Sequence, residues 1–396
     1  MLFIILLIFV NSLSAQYFPF INDGKMGYID IDGNIKIEAK LDTKAEYFLS
    51  KIGKYDYLLG LTFPDYCYFN DSHAVFKRDK WFWILFPYKT EIGLIDTNAN
   101  AVIFDDVKKL YPIVNKHIRF DFNDTRMPNN YDHNTGIMNL DRILKFYRFR
   151  EIEIAEASEL KNELQYAKYI YVGDVINDRI LIYEYIAKDI TDIYFLNTEG
   201  KRVIELSNAF YVDDFSDSLA LVKEENDLYF IDLNGKRQFP NLTNIENATS
   251  FNNHRAFIKK DGKFHLIDNN GNIISENTFD FAYPFVNNYA KVKIDSKYYL
   301  IDKKGNIVLK DYNKFGDVYN GVVPVLAGDK WRLYNIKTDK LLFEEFDAIY
   351  NFKDGLALAW REKQIFYINV ESKVVFEAID KRGYEKKIAN LIDRLN

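Results

Sequence analysis

The sequence predicts an all-β array, built by copying one unit of about 34 residues along the chain. Residues 264–274 and 298–308 show the unit most clearly. Each is an apolar run ending in Ile-Asp, followed by two polar residues, Gly-Asn and a second apolar run. Such apolar runs favour strands, and Asp-x-x-Gly favours a turn that rejoins them through a bulge. An Ala-x-Val strand precedes this hairpin, and three short strands per unit are typical of stacked or radially arranged β units.

The aspartate of Ile-Asp, which we call the anchor, recurs at nearly constant spacing and shows how far the array extends. From Asn197 to Asn369 the anchors are about 33–36 residues apart, and the two earlier gaps are close to two and three periods. A phenylalanine and, five positions later, an alanine precede four of the anchors in a fixed register. These landmarks are Phe215 with Ala220, Phe251 with Ala256, Phe285 with Ala290, and Phe352 with Ala357. The eight predicted anchors are Asp30, Asp96, Asn197, Asp232, Asp268, Asp302, Asn335 and Asn369.

Composition supports a packed β protein and argues against a nucleic-acid partner. Apolar residues make up 48% of the 396 residues, including 29 tyrosines and 32 phenylalanines, so the array can bury a large core. The net charge is −6, and the interspersed charges form no basic surface of the kind that binds nucleic acid. The single cysteine, Cys67, cannot form an intrachain disulfide and is predicted to be a small buried side chain.

The N-terminal segment, residues 1–15, is predicted to be a secretory signal peptide. Residues 1–10 are uniformly apolar and lead into the run Asn11-Ser-Leu-Ser-Ala15. A membrane anchor is the competing interpretation, but a helix needs about 20 apolar residues to span a bilayer. We therefore expect cleavage after Ser14 or Ala15 and an exported mature chain without a transmembrane span. Its expected location is the periplasm, the cell envelope or the extracellular space.

The repeat pattern lapses in the middle of the chain and ends before the C-terminus. Residues 121–139 are polar and rich in turn formers, which predicts a long loop. Residues 140–168 and 384–395 have apolar residues at helical spacing, which predicts a helical insertion and a C-terminal capping helix. The predicted organisation is a signal peptide (1–15), degenerate β repeats (16–120), a loop and helical insertion (121–175), the main β-repeat array (176–380) and a capping helix (381–396).

The unit Phe-x-x-x-x-Ala-x-Val, followed by Gly-Lys-x-x-x-Ile-Asp-x-x-Gly-Asn, resembles the WG (KWG) repeat of bacterial proteins. Residues 215–378 carry the pattern best, and 17–42 and about 74–106 are weaker copies. The Trp-Gly pair of the family is eroded, although Gly27 and Gly93 keep the glycine. The resemblance implies a β-propeller-like or related β-repeat fold, often in exported proteins, and no shared catalytic activity or site. The spacing leaves a closed propeller and an open β-solenoid as alternatives.

No catalytic, cofactor or metal site is predicted from the sequence. The stretch Asp30-Ile-Asp-Gly33 faintly resembles a calcium loop, but calcium takes about six to eight oxygen ligands and these residues supply too few. An aspartate that caps its own turn explains the repeated anchors more simply. Ala99 replaces the turn glycine in one copy, which is expected to weaken its bulge. The long loop gathers titratable residues without the spacing of a zinc motif: His117, His133, Asp121, Asp124 and Asp132.

These features predict an exported, non-enzymatic binding scaffold whose partner is a protein or an envelope glycan. Aromatic side chains at repeat intervals could stack on glycans or peptides, although most are expected to form the core between units. The alternative is a hydrolase-like or glycan-processing enzyme with its site at the 121–170 insertion. The enzyme interpretation would be favoured if the carboxylates and histidines of that insertion packed into the central opening of the array.

Overall fold

The computed structural model describes residues 16–42, 67–82, 86–104, 107–122, 135–140 and 169–379, except residues 24, 188, 189, 207, 226 and 363. All regular elements in these ranges are β-strands. The predicted signal peptide, the C-terminal helix and the helical insertion after its first residue lie outside the described ranges. No described element therefore supports either of the predicted helical segments.

The strands form nine antiparallel units of three or four strands, which we number in chain order. Units 1 to 3 contain β1 (Phe18–Asn22), β2 (Lys25–Ile29) and β3 (Ile35–Asp42); β4 (His73–Phe82), β5 (Phe86–Asp96) and β6 (Ala101–Phe104); and β7 (Val107–Val114), β8 (His117–Phe122) and β9 (Thr135–Asn139).

Units 4 to 6 contain β10 (Tyr169–Val172), β11 (Ile180–Ala187), β12 (Ile190–Leu196) and β13 (Arg202–Glu205); β14 (Tyr211–Val212), β15 (Leu219–Lys223) and β16 (Leu228–Asp232); and β17 (Asn247–Ala248), β18 (Arg255–Lys260), β19 (Lys263–Asp268) and β20 (Ile273–Phe279). Units 7 to 9 contain β21 (Phe281–Ala282), β22 (Tyr289–Ile294), β23 (Lys297–Asp302) and β24 (Ile307–Leu309); β25 (Val322–Ala327), β26 (Lys330–Asn335) and β27 (Lys340–Leu341); and β28 (Ala348–Ile349), β29 (Ala357–Arg361), β30 (Gln364–Ile368) and β31 (Val374–Ile379).

Unit 7 shows how the sequence makes the hairpins. Its first turn is Asn287-Asn288 and its second is Asp295-Ser296, and all four residues have positive φ. Two consecutive positive φ angles define the tight turn that matches the twist of a β-hairpin, and asparagine and aspartate tolerate this conformation best. The third turn ends at Gly305, with a φ of 84°. These turns fold the chain back on itself three times and give an antiparallel meander.

The anchors have equivalent geometry, which confirms the repeat. In units 5, 6 and 7, the Oδ1 atom of Asp232, Asp268 and Asp302 accepts hydrogen bonds from the backbone N–H groups two and four residues later, over distances of 2.8–3.0 Å. Asn197 and Asn369 accept the same pair of bonds through their amide oxygens. The prediction that the anchors cap their own turns is therefore confirmed.

The carboxylate anchors are expected to make the fold sensitive to acid. Partial burial raises the pKa of Asp30, but hydrogen bonds from Asn34, Lys36 and the turn backbone outweigh it and lower the pKa to about 2. The pKa values of Asp96, Asp268 and Asp302 are lowered by the same balance of partial burial and turn hydrogen bonds. An aspartate with a depressed folded-state pKa stabilises the fold above its unfolded pKa of about 3.9 and loses that contribution as pH falls through the folded value.

We therefore expect the urea midpoint to fall as the pH is lowered from about 4 to about 2. Asparagine at the four anchors with a lowered pKa supplies the matched control, because units 4, 8 and 9 already use asparagine there and an amide does not titrate in this range. That variant should show a flatter dependence of the midpoint on pH. Equal slopes for the two proteins would show that the anchors do not drive acid unfolding. The four positions are Asp30, Asp96, Asp268 and Asp302.

Ala99 occupies the left-handed turn position that glycine fills in other units, with a φ of 65°. We expect Ala99→Gly to stabilise the protein by about 0.5–1 kcal/mol, because it relieves the cost of a Cβ atom at positive φ. Urea unfolding measures the change. Ala101→Gly, at the first residue of the strand that follows, is the control and should destabilise, because glycine loses more backbone entropy than alanine when it is held in a strand. A loss of stability in Ala99→Gly would contradict the interpretation that Ala99 is strained at this turn.

One unit was missed by the sequence prediction, which placed residues 121–175 in a loop and helical insertion. The structure continues β8 to Phe122 and adds β9 and β10 inside that segment. His117 pairs with Asn139 in unit 3 as Tyr289 pairs with Asp302 in unit 7, so Asn139 is a ninth anchor. Among the described residues, it divides the long gap between the second and third predicted anchors into two intervals, each longer than one repeat period. The insertion limits were wrong because long connections around short strands mask the periodicity.

The last unit returns to the first and closes the array. Ile379 of β31 pairs with Ile21 of β1, which places units 9 and 1 in one sheet of seven strands. The Tyr367 hydroxyl donates a buried hydrogen bond to the Pro19 carbonyl at 2.8 Å. Phe18 packs edge-on against Tyr367, with ring centroids 5.6 Å apart. Both ends of the described chain therefore share one seam.

Every other pair of neighbouring units is also joined. Shared hydrophobic cores connect unit 2 to 3, 4 to 5, 5 to 6, 6 to 7 and 7 to 8, and one larger core spans units 8, 9, 1 and 2. Units 3 and 4 are linked by hydrogen bonds from Asn115 to the Val175 carbonyl and from Arg119 to the Val172 carbonyl. The nine units thus form a closed, β-propeller-like ring, and the open solenoid is excluded.

The surviving glycines of the eroded Trp-Gly pair are explained by the residue opposite them. Directly opposed residues of an antiparallel pair point to the same face. At the repeat position of Gly27, three units place glycine opposite a phenylalanine of the preceding strand. In unit 7 the same position holds Tyr299, and the residue opposite it is the smaller Val292. A Cβ atom on Gly27 would lie 2.7 Å from the Phe20 ring. The three pairs are Phe20–Gly27, Phe76–Gly93 and Phe120–Gly136.

Candidate functional site: a groove between units 7 and 8

The chain segments that contain the first strands lie on the inside of the ring. Ser250 of unit 6 donates a short hydrogen bond to the Asp213 carboxylate of unit 5. Asp317 of unit 8 and Asn351 of unit 9 exchange two hydrogen bonds, of 2.8 and 2.7 Å. Strands that radiate from an axis come closest together at the axis, so these contacts place the first-strand segments there. Side chains on these segments are therefore the ones that a ligand at the centre of the ring would meet.

A cavity of about 510 Å³ opens between the first-strand segments of units 7 and 8. We call it the aromatic lobe, because tyrosine, phenylalanine and tryptophan rings form much of its wall. Tyr283 is 42% exposed, and its ring lies 5.0 Å from that of Phe281, which is also exposed. Lys291 lines the lobe, and its ammonium group donates to the Phe315 carbonyl at 2.9 Å. The ring-bearing residues of the wall are Tyr283, Tyr289, Tyr298, Phe315 and Trp331.

Gly316 keeps the aromatic lobe open and lets unit 9 approach it. The equivalent position in unit 7 is Tyr283, so a side chain is absent here where the neighbouring unit has a large ring. A Cβ atom on Gly316 would clash with the Asn351 amide oxygen. That oxygen accepts a hydrogen bond from the Asp317 backbone, so Asn351 cannot move away without losing the bond. The glycine therefore serves the close contact between units 8 and 9 as well as the space in the lobe.

A second cavity, of about 540 Å³, adjoins the first and opens among the first turns of units 6, 7 and 8. Tyr289 and Val318 belong to both cavities. We call this second cavity the amide lobe, because asparagine side chains surround it and Lys337 is its single charged residue. The two lobes together form the groove. The asparagines of the amide lobe are Asn253, Asn287, Asn288 and Asn320.

Hydrogen bonds between units fix the turns of the amide lobe. The backbone N–H of Asn288 donates to the Asn253 amide oxygen at 2.8 Å, which ties unit 7 to unit 6. The Asn287 amide donates to the Val318 carbonyl at 2.8 Å, which ties unit 7 to unit 8. Similar bonds join first turns elsewhere, as where the Lys116 backbone donates to Asp71. The lobe is therefore built on the rigid contacts that hold the ring together.

The groove offers stacking surfaces and neutral hydrogen-bonding groups. Burial raises the pKa of Tyr319, on the wall of the amide lobe, and the Asp354 carboxylate raises it further. Its phenol therefore stays protonated at neutral pH and can donate a hydrogen bond. Within the described ranges, no three histidine, cysteine, aspartate or glutamate side chains meet in a way that could hold a metal ion. This arrangement suits recognition of an uncharged or weakly charged ligand by shape and hydrogen bonds.

Most residues singled out in the sequence lie away from the groove. Asp30 caps its turn and forms an ion pair with Lys36 at 2.9 Å, as expected of a structural anchor. The ring of His117 contacts the Asn115 carbonyl at 2.8 Å through Nδ1, at the first turn of unit 3. Cys67 is buried, as predicted. His133, Asp124 and Asp132 lie outside the described residues, and so does the side chain of Asp121.

Sequence reasoning missed the groove, although two signals in the sequence point to it. One is Gly316, a glycine at a repeat position that neighbouring units fill with a side chain. The other is the run of asparagines at the first turns of consecutive units. Asparagine is common in hairpin turns, so this run does not by itself indicate a binding site. Neither signal shows which units face one another.

None of the residues that the structure describes belongs to a helix long and apolar enough to cross a bilayer.

The fold and the groove define a closed β-repeat ring with a cleft between two of its units. The family model of the WG containing repeat matches residues 266–298 and 300–331, which run from unit 6 into unit 8. The chain is therefore a WG-repeat-containing protein, as the resemblance predicted. No curated protein is significantly similar to it in sequence.

Solved structures show likeness in fold. A structure described as the eukaryotic initiation factor is similar over 92% of this chain and 95% of that chain, with 7% identity and a TM-score of 0.50. Citrobacter koseri AztD is similar over 83% of this chain and 93% of that chain, with 12% identity and a TM-score of 0.37. Kluyveromyces lactis Hsv2 is similar over 51% of this chain and 73% of that chain, with 14% identity and a TM-score of 0.31. Because its sequence identity is so low, the first of these supports the ring architecture alone.

Proposed function

We propose that this protein is an exported, non-enzymatic binding scaffold of the cell envelope, and that the groove between units 7 and 8 holds its ligand. The observation that carries the proposal is the pair of adjoining lobes, each within the range of about 300–1,000 Å³ that is typical of ligand sites. Exposed aromatic rings in a concave surface are unusual unless they meet a partner. The ligand is a protein or a glycan of the envelope.

The ring supports this role because it fixes the groove in advance. The groove lies on strands and tight turns of three consecutive units, and inter-unit hydrogen bonds at 2.7–2.9 Å hold those units together. A preformed site loses little conformational entropy when the ligand binds. The residues of the groove therefore need not reorganise to bind.

The proposal is tested with the mature chain, residues 16–396, and its isolated cell envelope. Tyr283→Ala removes an exposed ring of the aromatic lobe and should reduce the fraction of protein that sediments with the envelope at least several-fold. Phe210→Ala in unit 5 removes a comparably exposed ring outside the groove and is the matched control. Equal sedimentation of the two variants, or none with the unaltered protein, would refute the groove as the binding site.

Export is supported by the apolar N-terminal run and tested by sequencing the N-terminus of the protein recovered from the envelope or the medium. We expect the mature chain to begin at Ala15 or Gln16. A chain that begins at Met1 would contradict cleavage and favour an uncleaved anchor.

A further inference from the structure

We infer that the ligand of the groove is a neutral glycan chain, whose hydroxyls bind in the amide lobe and whose sugar faces stack in the aromatic lobe. This inference rests on the proposed function, because it names the chemical class of the ligand for the same site. Three properties of the groove support it: the hydrogen-bonding capacity of the amide lobe, the ring faces of the aromatic lobe, and the low charge of both.

The amide lobe offers hydrogen-bonding groups that the fold does not use. Within the described residues, the side-chain amides of Asn288 and Asn320 make no hydrogen bond, and both residues are exposed at the cavity. Asn253 uses its amide oxygen and Asn287 its amide nitrogen, so each keeps the complementary group for a ligand. A carboxamide both donates and accepts, and so does a sugar hydroxyl, so the two match in either direction.

The backbone fixes these amides before any ligand binds. All four asparagines lie at first turns and have positive φ angles between 47° and 71°. The first position of these turns needs a residue that tolerates the left-handed conformation; aspartate fills it in units 2, 5 and 9, and asparagine fills it in units 3 and 4 as well as in units 6, 7 and 8. In units 6 and 8 aspartate would serve the turn equally well, whereas in unit 7 the Asn287 amide is also needed to donate to the Val318 carbonyl. Their use of the neutral amide there removes charge from the lobe while keeping its capacity for hydrogen bonds.

The aromatic lobe continues the site with ring faces. Tyr289 stands at the junction of the lobes, and Tyr283 extends an exposed edge-to-face pair with Phe281. A sugar ring has one or both faces made of C–H groups, and such faces pack on aromatic rings as other apolar groups do. A chain of sugars presents hydroxyl edges and apolar faces at the same time. The adjacent lobes match this combination of surfaces.

The charge of the groove argues against anionic polymers. A phosphorylated peptide or a nucleic acid is held by clusters of arginine and lysine. The amide lobe contains Lys337 as its single charged residue, and the aromatic lobe is lined by Lys291 and Lys314 with Asp317. Lys291 donates to a backbone carbonyl, and no arginine is among the residues that line either lobe. The net charge of the whole chain is −6. A neutral chain therefore fits better than an anionic one.

Trp331 lines the aromatic lobe and provides the readout. The mature protein is titrated with cellohexaose and with chitohexaose while tryptophan fluorescence is followed. We expect a saturable change with at least one hexasaccharide, and about tenfold weaker binding by the double variant Asn288→Ala/Asn320→Ala, since each lost hydrogen bond weakens binding severalfold. Asn270→Ala, at an exposed turn outside both lobes, is the matched control and should bind as the unaltered protein does.

The outcomes separate the ligand class from the proposed function. One outcome is that neither hexasaccharide binds, although the unaltered protein sediments with the envelope and Tyr283→Ala does not sediment. In that case the ligand is a protein and the glycan assignment is overturned. Loss of sedimentation after the envelope is treated with glycan hydrolases, but not with protease, would support the glycan. If binding of the sugar is unchanged in Asn288→Ala/Asn320→Ala, the amide lobe is not its site and the inference fails.

Discussion

Phe18→Ala is expected to cost about 3–5 kcal/mol of unfolding free energy and to destabilise units 1 and 9 together. Phe18 is 1% exposed and packs edge-on against Tyr367 of unit 9 and Tyr68 of unit 2. Its truncation leaves a cavity at the seam where the ring closes. Because units 9 and 1 share a sheet and a core, amide hydrogen exchange should speed up in β30 of unit 9 as well as in β2 of unit 1.

The matched control lies far from the seam. Phe257 is fully buried between units 6 and 7 and stacks on Phe285 at 5.5 Å, so Phe257→Ala should cost about as much. Its faster exchange should be confined to units 6 and 7 and their neighbours. An unchanged exchange rate in unit 9 of Phe18→Ala would contradict a closed ring and restore the open array. Urea unfolding and hydrogen exchange followed by mass spectrometry measure both quantities.

Gly93→Ala is the second large expected effect. A Cβ atom at this position would clash with the Val102 carbonyl oxygen and would lie 2.8 Å from the Phe76 ring. The carbonyl belongs to the neighbouring strand β6 and cannot shift without breaking the sheet. Overpacking in a rigid core costs about 1–3 kcal/mol, and a clash with backbone places this variant at the upper end of that range.

Two further variants make the test specific. Gly328→Ala places a methyl group where nothing lies within 4 Å, at a φ of 71°, so it should cost only the roughly 1 kcal/mol that a left-handed conformation imposes. Phe76→Val/Gly93→Ala removes the ring from the clash and should recover part of the loss, since other units combine a small residue with a large one at this pair. No recovery in the double variant would contradict the complementarity of the pair. The urea-unfolding midpoints of Gly93→Ala, Gly328→Ala and Phe76→Val/Gly93→Ala are compared.

The anchors could be predicted from sequence because their physics is local. Each aspartate bonds backbone groups two and four residues away, so the whole interaction lies inside five residues that can be read in order. The same holds for the tight turns and for alternating strands. Unit 3 escaped prediction because its anchor, Asn139, lies 43 residues after Asp96 and 58 before Asn197, so neither interval matches the repeat period.

The groove could not be predicted, because it depends on contacts between units. Gly316 is informative only beside Asn351 of the next unit, and the Asn287 amide acquires its role from the Val318 carbonyl, also one unit away. Closure is still less local, since Tyr367 meets Pro19 across 348 residues of sequence. The periodicity of the sequence does not indicate that the first and last described units are in contact.

The sequence by itself determined the repeated unit, its strands, its capped turns and the resemblance to WG repeats, because each follows from interactions among residues a few positions apart. The tertiary structure decided that the described residues form nine units, that these units close into a ring, and that a groove lies between units 7 and 8. These properties depend on how whole units pack against one another. Small differences at one repeat position, such as glycine in place of tyrosine, change that packing without changing the repeat.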